Sequence, residues 1–124
     1  MAVFKILVVE DDYINRKLLV NILKKKLYEV EIFESGDGED ALTKLHQNPD
    51  IAIVLLDIEM PKLNGIEFLA RYVNDDTIPR VPIIAISSNE NRKKESLIRG
   101  ADAFLMKPIS EERLMEALQE NFHS

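Results

Sequence analysis

Six polar residues stand where apolar runs end. Glu10, Asp11 and Asp12 follow Ile6-Leu7-Val8-Val9, Asp57 follows Ile51-Ala52-Ile53-Val54-Leu55-Leu56, Ser87 follows Pro82-Ile83-Ile84-Ala85-Ile86, and Lys107 follows Ala103-Phe104-Leu105-Met106. If these ends meet in space, the chain offers a carboxylate nucleophile, further carboxylates, a hydroxyl and an ammonium. Phosphoryl transfer needs these parts, because its catalysis is mostly positioning and charge stabilisation. A carboxylate can hold the transferred group as an acyl phosphate. Glu10, Asp11 and Asp57 brought together would crowd like charges and raise one or more pKa values. A hard divalent cation relieves that conflict. Mg²⁺ suits it, being held by one or two carboxylates and substrate phosphate while keeping several waters. Each residue also has an ordinary reading. Asp12 is better placed to cap the following helix than to bind metal; Asp57 and Ser87 could be turn residues, and Lys107 a solvated charge. Their shared placement at the ends of apolar runs is what favours chemistry.

Those runs belong to an alternating pattern. Phe4 to Val9, Ile51 to Leu56, Pro82 to Ile86 and Ala103 to Met106 read as strands, and Glu29 to Glu34 as a half-covered edge strand in which Phe33 interrupts the alternation. Helical spacing follows each. Tyr13 to Lys26 places Ile14, Leu18, Leu19, Ile22 and Leu23 on one face; Asp37 to Gln47 turns Ala41, Leu42 and Leu45 inward; Gly65 to Asn74 does so with Ile66, Leu69, Ala70 and Val73. Glu90 to Arg99 is a charged helix stopped by Gly100, and the last helix starts at a Ser110 cap with Leu114, Met115, Leu118 and Phe122 on its core side. Five strands alternating with five helices predict an α/β fold: a doubly wound (βα)5, flavodoxin-like three-layer sandwich with parallel strand order 2-1-3-4-5. In such sheets ligands bind beyond the carboxyl ends of the strands where the order reverses, here between the first and third. One domain is expected over residues 1–124.

Bulk properties narrow the function classes. Acids outnumber Lys and Arg by 22 to 16, giving a net charge of −6, the opposite of a free-standing nucleic-acid binder. The basic cluster Lys24-Lys25-Lys26 falls where cations complement the first helix's dipole. Without cysteine there are no disulfides, thiol catalysis or cysteine metal sites. No apolar stretch approaches the ~20 residues that span a bilayer, and the amino terminus runs straight into a strand pattern. A cytoplasmic protein with no membrane insertion is expected.

The combination of motifs resembles response-regulator receiver domains of two-component signalling systems. The resemblance rests on Ile6-Leu7-Val8-Val9-Glu10-Asp11-Asp12, Leu55-Leu56-Asp57-Ile58-Glu59-Met60-Pro61, Asn64-Gly65, Pro82-Ile83-Ile84-Ala85-Ile86-Ser87 and Gly100-Ala101-Asp102-Ala103-Phe104-Leu105-Met106-Lys107-Pro108. It implies Asp57 as phosphoacceptor, Asp11 as direct Mg²⁺ ligand with Glu10 acting through water, and the Glu59 backbone carbonyl completing the protein ligands. Asp11 with Asp12 is the alternative acidic pair. Ser87 matches the hydroxyl that moves to the phosphoryl oxygens, Lys107 the lysine that contacts them, and the Lys107–Pro108 bond is expected to be cis. Phe104 matches an aromatic switch position, where tyrosine is frequent; core filling is its other reading. Glu59 and Asn89 flank the site at positions that tune phosphoryl lifetime in this family.

The resemblance further implies a phosphoacceptor signalling domain rather than an enzyme in the ordinary sense, one that assists its own phosphorylation and dephosphorylation. The donor would be a histidine kinase or a histidine phosphotransfer domain. The reader would be a downstream protein or an attached output domain, responding to the surface of helix four, strand five and helix five. The stretch Asp12-Tyr13-Ile14-Asn15-Arg16-Lys17-Leu18-Leu19 is similar to receivers joined to hybrid sensor kinases. A flavodoxin-type carrier would need a phosphate loop free of the Glu10-Asp11-Asp12 charge. A haloacid-dehalogenase-type phosphatase would need a second acid two positions after Asp57 working on substrate, and usually a cap domain.

Overall fold

The computed structural model describes residues 3–60 and 64–121. The elements alternate as expected: β1 (Phe4–Val9), α1 (Tyr13–Lys26), β2 (Val30–Ser35), α2 (Gly38–Gln47), β3 (Ile53–Asp57), α3 (Gly65–Val73), β4 (Ile83–Ser87), α4 (Arg92–Ile98), β5 (Ala103–Met106) and α5 (Glu111–Asn121). All four strand pairings are parallel and the order is β2-β1-β3-β4-β5. Among the strands, β3 and β4 are buried along their whole length, the pattern of strands covered on both faces.

Strand alternation sorts the core into two layers. Leu7, Val9, Val54, Leu56, Ile83 and Ala85 point to the side covered by Ala41 and Leu45 of α2 and by Phe68, Leu69 and Tyr72 of α3. Ile6, Val8, Ile53, Leu55, Ile84 and Ile86 point to the other side, against Leu19, Val20 and Leu23 of α1 and Leu114, Ala117 and Leu118 of α5. Phe33, which interrupts the alternation of β2, packs on the first layer. Phe122 and Pro61 lie outside the described residues.

Local chemistry fixes the helix starts. Asp12 accepts the Ile14 N–H, Asp37 the Asp40 N–H, and Asn64 with Glu67 forms a reciprocal capping box. Ser110 Oγ accepts the Arg113 N–H at 3.1 Å. Gly100, at φ +123°, ends the α4 region, and the Ala101 N–H reaches back to the Ser96 carbonyl at 3.0 Å. α4 is shorter than Glu90 to Arg99. Asn91 makes no side-chain cap, and the Asn89 and Glu90 carbonyls bond three residues ahead to Arg92 and Lys93, so the segment begins as turns.

The core face of α1 also differs from expectation. Ile14 and Leu18 do not face the core: they are 68% and 56% exposed, while Leu19, Val20 and Leu23 form the buried side of α1.

Candidate functional site

Register brings the acids together. β1 and β3 run in parallel with Val9 opposite Leu56, so Glu10 and Asp57 each stand one residue beyond the last paired positions. The Glu10 N–H bonds the Ser35 carbonyl of β2 at 3.0 Å, and Arg16 Nη1 donates to the Glu10 carbonyl at 2.9 Å. The Arg16 Nε is itself held 3.0 Å from Glu34. Glu10 and Asp57 are almost wholly buried, at 1% and 3% exposure, whereas Asp11 is exposed. One carboxylate oxygen from each of Glu10, Asp11 and Asp57 lies within 4.8 Å of the others. Hard oxygen donors so close, with two of them shielded from water, fit a divalent cation of the Mg²⁺ kind. Asp12 is occupied as the cap of α1, its carboxylate accepting from the Ile14 N–H at 3.1 Å.

The β3–α3 loop is set by Gly65. A Cβ there would stand 2.6 Å from Ile58 Cα and 2.7 Å from the Asp57 carbonyl oxygen, so only glycine lets α3 start this close to the end of β3. Its N–H bonds the Ile58 carbonyl at 3.0 Å. Asp57 Oδ1 in turn accepts the Glu59 N–H at 3.2 Å, which orients the carboxylate over the strand end.

Lys107 crosses from the end of β5. Its ammonium lies 2.8 Å from Glu10 Oε1 and 3.5 Å from Asp57 Oδ2. The Lys107 N–H bonds the Ser87 carbonyl at 2.9 Å, and the Lys107–Pro108 peptide is cis. Burial pushes Asp57 up to about 8, hydrogen bonding and charge from Glu10 push the same way, and Lys107 opposes them. Burial works against the charged form of Glu10 too, but hydrogen bonds with Asp57 and Lys107 outweigh it and hold Glu10 below the usual carboxylate range. Asp11 is raised by burial and by Glu10. Burial would lower Lys107, yet Glu10 and Asp57 raise it. Burial and the neighbouring Glu10 thus disfavour charge on Asp57, while Glu10 keeps its charge beside Asp57 and Lys107.

Ser87 is fully buried at the end of β4. Its hydroxyl donates to Glu59 Oε1 at 2.6 Å and accepts the Asn89 N–H at 2.9 Å. The acid two positions after Asp57, which a dehalogenase-type reading would turn toward substrate, is thus engaged by Ser87. Phe104 pairs with Ala85 across β4 and β5 and packs, partly buried, on the α2–α3 layer.

The structure therefore brings Glu10, Asp11, Asp57 and Lys107 into one notch, with Glu59 joining Asp57 to the buried Ser87 and Phe104 beside Ala85 on the next strand, β5. Sequence reading assigned no role to Arg16. Its signal was position: four residues after Asp12, whose carbonyl accepts the Arg16 N–H at 2.8 Å, it belongs to the first turn of α1 above the strand ends. The reading also missed an apolar groove beside the notch, lined by Leu18, Leu19, Ile22, Ile86, Pro108 and Ile109, with Glu10 and Lys107 at its inner end.

A doubly wound five-stranded sheet with an acidic notch at its switch point defines the class, and comparison with known proteins gives the family. The response regulator receiver domain model matches residues 6–119, and the chain belongs to that family. Chemotaxis protein CheY of Listeria monocytogenes is 33% identical over 116 residues, covering 93% of this chain and 95% of that protein. Among solved structures, the CheX–CheY–BeF3–Mg complex of Borrelia burgdorferi matches with a TM-score of 0.85 at 31% identity, covering 98% of this chain and 90% of that one. The receiver domain of a sensor histidine kinase of Pseudomonas aeruginosa matches with a TM-score of 0.85 at 25% identity, covering 97% and 98% of the two chains. That structure carries a magnesium ion in its active-site cleft. No described helix of the present chain is long and apolar enough to cross a membrane.

Proposed function

We propose that this receiver accepts a phosphoryl group on Asp57 from a phosphohistidine donor and passes the signal through the surface of α4, β5 and α5. The observation that carries the reading is the notch itself: Glu10, Asp11 and Asp57 within 4.8 Å, and Lys107 against two of them. An Asp57 carboxylate oxygen attacks phosphorus, the P–N bond to the donor imidazole breaks, and the electron pair leaves with the imidazole, which takes up a proton. The product is an acyl phosphate on Asp57. Asp11 and Asp57, Glu10 through water, and the Glu59 carbonyl would hold Mg²⁺, which when bound supplies charge neutralisation for the phosphoryl oxygens. Lys107 contributes its ammonium on the other side of Asp57. Ser87 exchanges its present partner for a phosphoryl oxygen, and Phe104, whose strand neighbour Ala85 lies two residues before Ser87, follows into the space released. The same residues assist hydrolysis of the acyl phosphate, so the domain times its own signal.

The donor is a histidine kinase or a histidine phosphotransfer domain. The exposed Ile14 and Leu18 beside the groove of Ile22, Pro108 and Ile109 suit an amphipathic donor helix that must bring its phosphohistidine to Asp57. The reader is a downstream protein or an attached output domain, without direct nucleic-acid contact, and the setting is the cytoplasm. Incubation with acetyl phosphate and Mg²⁺, followed by intact-mass spectrometry, tests the reading. The expected result is one added phosphoryl mass, lost in Asp57→Asn. Labelling that survives in Asp57→Asn, or no labelling of the wild type, overturns it.

A further inference from the structure

Glu59 makes two contacts that phosphoryl transfer to Asp57 does not use. Its Oε1 accepts the Ser87 hydroxyl at 2.6 Å, and its Oε2 lies 3.7 Å from Arg92 Nε. Arg92 is the first residue of α4 and also pairs with Glu95 at 2.9 Å. Glu59, just after β3, thus links the last residue of β4 on one carboxylate oxygen to the first turn of α4 on the other.

We propose that Glu59 is a positioning residue that latches Ser87 in the resting orientation and so opposes phosphorylation, with Arg92 tying the latch to α4. The proposal rests on the reading of Asp57 as phosphoacceptor. A serine hydroxyl has one proton to give. While it is given to Glu59 it is withheld from any oxygen on Asp57, and a bond from hydroxyl to carboxylate is of the stronger, charge-assisted kind. Ser87 is fully buried, so water does not compete for that proton. The Glu59 N–H already bonds Asp57 Oδ1 at 3.2 Å, which places the backbone of the latch beside the reacting carboxylate. New phosphoryl charge on Asp57 would repel the Glu59 carboxylate and offer Ser87 a competing acceptor. Release of Glu59 and capture of Ser87 then become one two-state exchange. The contact with Arg92 is half-exposed and longer than a hydrogen bond, so it contributes little energy of its own. Its effect is to let the exchange reach α4.

A simpler account is that Glu59 opposes phosphorylation only through its charge, without Ser87. A double-mutant cycle separates the two. The dissociation constant for beryllofluoride at saturating Mg²⁺, read by fluorine NMR, is compared in the full chain for wild type, Glu59→Ala, Glu59→Gln, Ser87→Ala and the double variant Glu59→Ala with Ser87→Ala. Glu59→Ala should bind about tenfold tighter than wild type, a change of about 1.4 kcal/mol. Glu59→Gln, whose amide oxygen still accepts from Ser87 without charge, should fall between. In the Ser87→Ala background the Glu59→Ala effect should shrink below about twofold. Equal tightening in both backgrounds, or none in either, overturns the latch. A second arm needs no phosphoryl mimic. In metal-free protein, Glu59→Ala should speed amide exchange at Asn89 and Arg92, and unchanged exchange also counts against the latch. Wild type that binds beryllofluoride while Glu59→Ala gains nothing sinks the latch alone. Wild type that neither binds beryllofluoride nor takes label from acetyl phosphate sinks the proposed function, and with it anything for the latch to oppose.

Discussion

Lys107 Nζ lies 2.8 Å from Glu10 Oε1, closer than to Asp57 Oδ2 at 3.5 Å, so the ammonium is bonded to the neighbouring acid rather than to the proposed acceptor. In metal-free protein it joins the hydrogen bond with Asp57 in letting a buried carboxylate at Glu10 stay charged. Removing one member of a buried ion pair costs about 3–5 kcal/mol. Lys107 is partly exposed, which reduces the figure. Lys107→Met should therefore lower metal-free stability by about 2 kcal/mol in urea unfolding. Saturating Mg²⁺ should recover most of that loss, because a second cation then faces the same acids. An equal loss with and without Mg²⁺ would contradict this account.

The raised pKa of Asp57 gives a signed pH dependence. Its native value of about 8 lies above the ~3.9 of an unfolded aspartate. Between those values the native state binds more protons, so this group's contribution to stability is full below about pH 4 and is lost as pH rises through 8. Glu10, held low, has the opposite sign: its contribution is present above the unfolded glutamate value and is lost as pH falls. Metal-free wild type should accordingly lose stability between pH 5 and pH 8 relative to Asp57→Asn, by on the order of a few kcal/mol. Mg²⁺ uptake at neutral pH should release a proton, and affinity should rise with pH up to about 8. Calorimetric titration in buffers of differing ionisation enthalpy checks the proton count.

Gly65 is the backbone contact that fixes where Asp57 sits. Gly65→Ala drives a Cβ to within 2.7 Å of the Asp57 carbonyl oxygen and 2.6 Å of Ile58 Cα, and neither backbone atom can move aside as a side chain would. The expected cost is about 2–3 kcal/mol of thermal or urea stability. Mg²⁺ affinity should fall as well, since the loop carrying Glu59 shifts with Ile58. Unchanged stability would show that α3 does not approach β3 this closely.

The exposed part of α1 separates two kinds of phosphoryl donor. Leu18 is 56% exposed and lines the groove beside the notch, so Leu18→Asp should change stability by no more than about 0.5 kcal/mol. Labelling by acetyl phosphate should be unaffected, whereas transfer from a phosphohistidine protein should slow by about tenfold or more, the cost of a charge at an apolar contact. Equal rates from the protein donor would remove α1 from the docking surface.

Most of the fold was legible because its strands are short apolar runs with polar ends, and an inner parallel sheet permits little else. The strand ends also exposed the site, since Glu10, Asp57, Ser87 and Lys107 each follow an uninterrupted run. Helical periodicity was less informative at α1. The spacing of Ile14, Leu18 and Ile22 marks an apolar arc, but the placement of α1 on the sheet beside α5 decides which part of that arc is covered; Val20, Leu19 and Leu23 take the core, and Ile14 and Leu18 stay outside. Side-chain partners in loops were not legible. The sequence suggested a role for the Glu59 carbonyl, while its carboxylate reaches Ser87 across 28 positions of chain, a contact that no local spacing announces. The start of α4 was read too early because the polar run of Glu90 and Asn91 continues the charge pattern but forms turns.

The matched register of β1 and β3 also governs which changes of length this chain can absorb. A residue inserted or deleted inside Phe4–Val9 or Ile53–Asp57 would exchange the two faces of the strand and carry an acid into an apolar layer. The connections at the other end of the sheet, around Asn48 to Ala52 and Asp75 to Val81, bury Ile51 and Ile78 in the core but supply none of the acids, the serine or the lysine of the notch, so a change of length at their exposed positions leaves the notch in register. Natural variation in size should therefore gather at that remote end, with the spacing from each strand start to its terminal acid held constant.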